Sequence, residues 1–465
     1  VDDYDSFVAR KLSTVPPTGI TGELCIPDSL FPHQRAIVQW ALLRGRCAIF
    51  ADTGLGKSRM QLAWAQEVHR HTGRSVLILA PLAVAAQTVR EGADIGIEVA
   101  HVRDGGEVGI AGLYITNYER LHLFDPSAFG AVVLDESSCI KHHNTKTLAA
   151  LLEAFDRTPF KLCATATPAP NDWTELGTHA EFLGICTRAE MLSEYFVHDG
   201  GETQTWRLKG HARAMFWRWV STWGAMVRKP SDLGFDDSLY NLPPLNVHQH
   251  TVLIENAAER VGQLFALEAQ SLSERRDARK ESVADRVSAC AALVNADDER
   301  WLVWCDLNAE SEMLTRAIRG AVEVKGADDP DHKERALTDF AAGKIRVLVS
   351  KPSIAGWGMN FQVCSRIAFV GVTDSWESYY QAVRRCWRFG QSRPVDVHIF
   401  ASDLEGAVVA NLRRKEADAL AMAESLSAET REAVMRNVVG LVRESNTYNA
   451  ARRVSVPSWL RSEAA

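Results

Sequence analysis

Three clusters of residues in the 465-residue chain have types and spacings that could do chemistry. The first is ADTGLGKS, residues 51–58, set between a short apolar run and an amphipathic stretch. A glycine-rich loop at a helix start aims backbone N–H groups at an anion, and the helix dipole adds to the attraction. Gly54 and Gly56 would let Asp52, Thr53 and Leu55 close around phosphates, with Lys57 reaching the β- and γ-phosphates and Ser58 ligating Mg²⁺. The second is VVLDE, residues 132–136, an apolar run ending in two carboxylates. Asp135 could hold Mg²⁺ through water and Glu136 could polarise an attacking water. Together the two clusters imply hydrolysis of ATP or GTP.

The third is QAVRRCWRFGQ, residues 381–391. Read as a helix, it places Gln381, Arg385 and Arg388 on one face, because residues three and four apart are neighbours. Two arginines there suit arginine fingers for a γ-phosphate bound elsewhere in the fold. A solvated basic face would give the same pattern.

These clusters need rigid elements behind them. Buried strands are expected at residues 47–50, 75–79, 113–116, 132–134 and 161–164, with helical patterns between them such as 59–71 and 147–155. Strands alternating with helices imply a parallel sheet covered on both faces. The pattern lapses between about 181 and 239, which reads as mainly helical and rich in Trp and Arg. After the prolines of NLPPLN, residues 241–246, comes a polar helical stretch over 256–285. Alternation then resumes, with strands expected at 301–305, 322–325, 346–350, 366–370 and 395–400, and helices at 310–319, 332–341 and 379–388.

Composition narrows the classes. With 46% apolar and 24% charged residues, the chain can build a large globular core. Lys plus Arg number 52 against 59 Asp plus Glu, a net charge of −7, so nucleic-acid contact must use a local basic surface. The longest apolar stretch, 76–86, is interrupted by Pro81 and falls far short of the roughly 18 residues of a membrane span. Nine scattered cysteines without a CxxC pair point to a reduced, cytoplasmic protein, and the acidic start VDDYD argues against export.

With these motifs in view, the chain resembles superfamily-two nucleic-acid motors, specifically the Swi/Snf-like ATPases. LFPHQ, residues 30–34, is similar to that family's opening motif, which implies that Gln34 reads the adenine edge and selects ATP. The resemblance assigns Pro81, Leu82, Thr116, Asn117, Thr165, Thr167, Ser350 and Trp376 to the nucleic-acid path, and Gly358 to a motif touching both DNA and nucleotide. It departs at Ser137 and Ser138, where the family usually has Ala and His, and at Arg384, where it usually has Asp.

The resemblance implies two RecA-like α/β lobes in tandem, with ATP·Mg²⁺ between them and duplex DNA across both. The expected division is an N-terminal arm (1–27), an ATP-binding lobe (28–185), a helical insertion and bridge (186–245), a second lobe (246–425) and a tail (426–465). Rival expectations are a strand-separating DNA or RNA helicase, the motor of a restriction or defence complex whose protein partner supplies the nuclease, loading or targeting function, and a nucleotide-gated binding or clamp-loading protein with negligible turnover. Phe216, Val220, Trp223 and Val227 read as core, as do Trp301 and Trp304. Arg207, Lys209, Arg213, Arg218 and Arg228 are candidate phosphate contacts.

Overall fold

The computed structural model describes residues 15–81, 84–198, 206–252, 280, 282–355, 360–373, 375–402 and 406–438. The first lobe runs α1 (Pro32–Arg44), β1 (Arg46–Ala51), α2 (Lys57–Thr72), β2 (Ser75–Ala80), α3 (Ala85–Asp94), β3 (Ala100–His101), β4 (Leu113–Asn117) and β5 (Phe129–Asp135). It continues with α4 (Lys146–Phe155), β6 (Phe160–Thr165), α5 (Leu176–Leu183), α6 (Arg188–Tyr195), β7 (Phe196–His198), β8 (Trp206–Leu208), α7 (Arg213–Ser221) and β9 (Gly224–Val227). Seven strands form one sheet in the order β3-β4-β2-β5-β6-β1-β9. Its pairings are parallel.

Every residue of β2, β5 and β6 is buried, the pattern of a parallel sheet covered on both faces. The pleat sends Ile49 and Ile78 into one core and Phe50 and Leu79 into the other. This sandwich fixes the carboxyl ends of β1 and β5, from which the phosphate loop and the paired carboxylates emerge.

The second lobe repeats the scheme with β10 (Leu245–Val252), α8 (Val283–Val294), β11 (Trp301–Cys305), α9 (Asn308–Ala317), β12 (Ala321–Val324), α10 (Pro330–Ala341), β13 (Val347–Ser350) and α11 (Pro352–Ala355). It ends with β14 (Arg366–Val370), α12 (Trp376–Val383), β15 (Val395–Ser402) and α13 (Gly406–Val438). The strand order is β10-β15-β14-β11-β13-β12, again parallel. Trp301 and Trp304 are core residues, as expected.

Residues 181–239 are less helical than expected. β7 and β8 form an antiparallel hairpin, and β9 joins the first sheet beside β1. Phe216, Val220, Trp223 and Val227 are all fully buried, yet only the first two lie on a helix. A helical spacing therefore ran on through a helix end into a strand. Gly224 allows the approach, since a Cβ there would stand 2.8 Å from the Phe50 ring. Most of the expected 256–285 helix lies outside the described residues.

The 33-residue α13 links the lobes. Leu412 packs in the second lobe, Met422 and Leu426 in one core of the first, and Val434 in the other. The Met226 N–H of β9 donates to Thr430 Oγ1 at 2.9 Å, so the helix also caps the sheet edge. No described helix is long and apolar enough to cross a membrane.

Candidate active site between the lobes

At the end of β1 the chain turns through Gly54 (φ 91°) and Gly56 (φ 80°) before α2 begins at Lys57. Both glycines occupy the left-handed region, which side chains disfavour. A Cβ at Gly54 would stand 3.2 Å from the Phe389 backbone of the second lobe, and one at Gly56 would stand 2.3 Å from Gln34 Nε2. The loop's shape is thus set from both sides.

Gln34 is buried at the start of α1. Its Oε1 accepts from the Phe31 N–H at 3.0 Å, and its Nε2 donates to the Leu55 carbonyl at 2.8 Å. The side chain expected to meet adenine therefore also braces the phosphate loop. Beside it stands Tyr240, which the sequence did not single out, with its ring 5.9 Å from Phe31 and 5.1 Å from both His33 and Phe389.

Lys57 Nζ donates to the Ala51 carbonyl at 3.0 Å. Burial lowers its pKa, against the pull of Glu136, Asp52 and Asp135. Asp135 Oδ1 accepts from Gln61 Nε2 at 2.7 Å and from the Glu136 N–H at 3.1 Å. Burial first, and the Glu136 carboxylate second, push the Asp135 carboxyl up to about 6.

Glu136 has φ 50°, the one positive value among described non-glycine residues. Such backbone conformations concentrate at functional sites. The Thr165 hydroxyl donates to Glu136 Oε2 at 3.4 Å. Next to it, Ser137 Oγ lies 3.1 Å from His179 Nε2, so an imidazole reaches this turn from α5.

The second lobe supplies Arg385 and Arg388, but not from one helical face. α12 stops at Val383, and Arg385 and Cys386 follow in tight turns, their N–H groups bonding Ala382 and Val383 carbonyls. The turns carry both arginines to the cavity, whereas Gln381 is buried on α12 and does not line it. Arg388 donates to Asn360 Oδ1 and has no hydrogen-bond partner at Nε. Burial lowers the pKa of both, for Arg388 to about 10, while Glu136 across the cleft opposes the shift of Arg385.

The result is one cavity of about 730 Å³ between the lobes. Gln34, Thr53, Lys57, Ser58, Asp135 and Glu136 line it from the first lobe, Asn360, Arg385 and Arg388 from the second. Lys57, Arg385 and Arg388, the Asp135 and Glu136 carboxylates and the Thr53 and Ser58 hydroxyls converge there. That set can hold a polyphosphate with a divalent cation and activate a water beside it.

The expected nucleic-acid residues are placed differently. Thr116, Asn117, Thr165, Thr167, Ser350 and Trp376 are buried in this conformation, because they sit at strand ends or against the facing lobe. Thr167 donates to Glu377 Oε1 at 3.1 Å and Ser350 to the Val324 carbonyl at 2.9 Å. Pro81 is partly exposed. Leu82 and Gly358 lie outside the described residues. The basic candidates have protein partners, with Lys209 on the Ser193 and Glu194 carbonyls, Arg213 over Trp173, and Arg228 on Asp232.

Residues 31–176 match the DEAD/DEAH box helicase family, and residues 285–390 match the helicase conserved C-terminal domain. Protein p41 of Acyrthosiphon pisum secondary endosymbiont phage 1 is 24% identical over 445 residues, covering 83% of this chain and 95% of that protein. The bifunctional helicase and thymine dioxygenase JBP2 of Leishmania braziliensis is 32% identical over 124 residues, covering 25% of this chain and 11% of that protein. The solved Sulfolobus solfataricus SWI2/SNF2 ATPase core in complex with dsDNA is similar at 17% identity and a TM-score of 0.41, over 90% of this chain and 98% of that one.

Proposed function

The chain belongs to the superfamily-two helicase-type ATPases, and from that premise we propose that it couples ATP hydrolysis to translocation along duplex DNA. The observation that carries the reading is the composite cavity, lined by Lys57, Asp135 and Glu136 from one lobe and by Arg385 and Arg388 from the other.

The residues fit the proposed ligands. Lys57, Arg385 and Arg388 are desolvated cations, and the unpartnered Nε of Arg388 would gain an anionic partner from a phosphate. Ser58 and Asp135 are the oxygen donors that would hold Mg²⁺, which when bound neutralises phosphate charge. Glu136 would orient and deprotonate the attacking water. Gln34 and Tyr240 would seat the base.

Arg385 and Arg388 favour a closed cleft only while a γ-phosphate draws them to the loop. Hydrolysis removes that differential contact, and the lobes separate. Each cycle would shift the two lobes' grip along a strand. The motif order supports duplex DNA, and contacts to phosphates predict binding that weakens steeply with salt.

The test is the steady-state ATPase rate alone and with duplex DNA, single-stranded DNA or RNA, with Lys57→Ala as the blank. Stimulation by duplex DNA is expected. The match to the DEAD/DEAH box family favours a second reading, a strand-separating helicase. Stimulation confined to single strands or RNA would select it.

A further inference from the structure

One contact between the lobes lies outside the phosphate chemistry and uses the residue at which this chain departs from the motif it resembles. Asp52 opens the phosphate loop. Its Oδ1 accepts from the Thr53 N–H at 2.6 Å and from the Tyr380 hydroxyl, and its Oδ2 accepts from the Arg384 guanidinium. Tyr380 and Arg384 stand one turn apart at the end of α12, and Arg384 Nε donates to the Tyr380 hydroxyl at 3.2 Å.

The guanidinium is boxed in, with its carbon 4.7 Å from the Trp387 ring centroid and 5.4 Å from that of Tyr380. Arg384 is 4% exposed, so its charge has little water to fall back on. At the other end of the same helix, Glu377 pairs with Lys141 and accepts from Thr167, both in the first lobe. α12 is therefore fastened to the first lobe at both ends, and its C-terminal fastening is to the phosphate loop itself.

We infer that Arg384, steadied by Tyr380, is a positioning residue that holds the phosphate loop through Asp52 and ties the loop's shape to lobe closure. This deepens the ATPase reading above and rests on it. In the closed cleft Asp52 has partners in both lobes; when the lobes part it keeps only the Thr53 N–H. The loop is then fully braced only while Arg385 and Arg388, one and four residues beyond Arg384, are also at the cavity. Loop order and arrival of the arginines become one event. A lone guanidinium buried without its carboxylate is strongly disfavoured, which makes the fastening two-way.

The test is a double-mutant cycle on DNA-stimulated ATPase with Arg384→Gln, Asp52→Asn and the pair together. Each single change is expected to lower kcat about tenfold with KM for ATP within about twofold, because closure is lost while first-lobe binding remains. The pair should be no worse than either single, since both act through one contact. Arg384→Lys, which keeps the charge, should recover part of kcat, and Tyr380→Phe, a smaller change, should show a lesser fall.

Wild-type kcat in Arg384→Gln, or losses that multiply in the pair, would overturn the inference while leaving the ATPase reading intact. Failure of the wild type to bind or turn over ATP, against the Lys57→Ala blank, would instead sink the ATPase reading. A readout free of turnover is the radius of gyration, by X-ray scattering, of the protein saturated with a non-hydrolysable ATP analogue and magnesium. Arg384→Gln should expand relative to wild type, and an unchanged radius counts against the inference.

Discussion

Gln61 donates its side-chain amide to Asp135 Oδ1 at 2.7 Å, across the buried seam between α2 and β5. The helix that starts at the phosphate loop thus also aims the carboxylate at the end of a different strand. Loop and carboxylate are held as one unit by a hydrogen bond whose partners lie 74 residues apart in sequence.

Removing that amide should loosen the site for magnesium first. Gln61→Ala is expected to weaken apparent Mg²⁺ affinity about tenfold, as loss of an outer-shell partner does. A magnesium titration of the ATPase at saturating ATP reads this directly. An unchanged midpoint would show that Asp135 needs no aiming.

Glu136 should separate binding from chemistry. Glu136→Gln keeps the shape and removes the base, so ATP binding persists while kcat falls by about 10² to 10⁴. Fluorescent-nucleotide binding and turnover, measured on the same preparation, check both halves. Equal loss of both would assign Glu136 a structural role.

Acid should destabilise the fold over a defined window. Burial holds the His179 imidazole down to about 4 from its usual 6.5. The unfolded chain takes up this proton as pH falls through 6.5, while the folded chain stays neutral until about 4. The contribution is therefore intact above pH 6.5 and lost between 6.5 and 4, amounting to about 2 kcal/mol at pH 5. Thermal unfolding at pH 7 and 5 should show the drop, and His179→Gln should flatten it. An equally steep drop in the variant would place the effect elsewhere.

The edge contact of β9 gives a stability prediction. Thr430→Val keeps the side chain's size but leaves the buried Met226 N–H without its acceptor, at a cost of about 1–3 kcal/mol. Urea unfolding followed by intrinsic tryptophan fluorescence should shift to lower concentration. No shift would mean that the strand finds another partner.

What the sequence made legible was local. The phosphate loop, the strand ending at Asp135 and the strands on either side follow from short apolar runs with glycine or acid at their ends, patterns that one strand and one turn suffice to write. The arginine helix was misread because Gln381, Arg385 and Arg388 keep a helical spacing although the backbone leaves the helix at Val383. Gln61 and Tyr240 carry no signal of their own. A glutamine on a helix becomes a site residue only when another strand ends opposite it, and that meeting is set by sheet order. The Arg384–Asp52 pair was visible only as a departure from a resembled motif, since its partner is 332 residues away.

The long helix α13 has a consequence for biosynthesis. The first lobe's last strand is made by residue 227, but the side chains that cover it, from Met422 to Val434, leave the ribosome roughly two hundred residues later. Until then β9 presents an open edge and an apolar face, the surfaces on which nascent chains pair with the wrong neighbour. The lobe that begins first is completed last. A stop codon anywhere before the 420s would therefore spoil the amino-terminal half of the protein as surely as the carboxyl-terminal one.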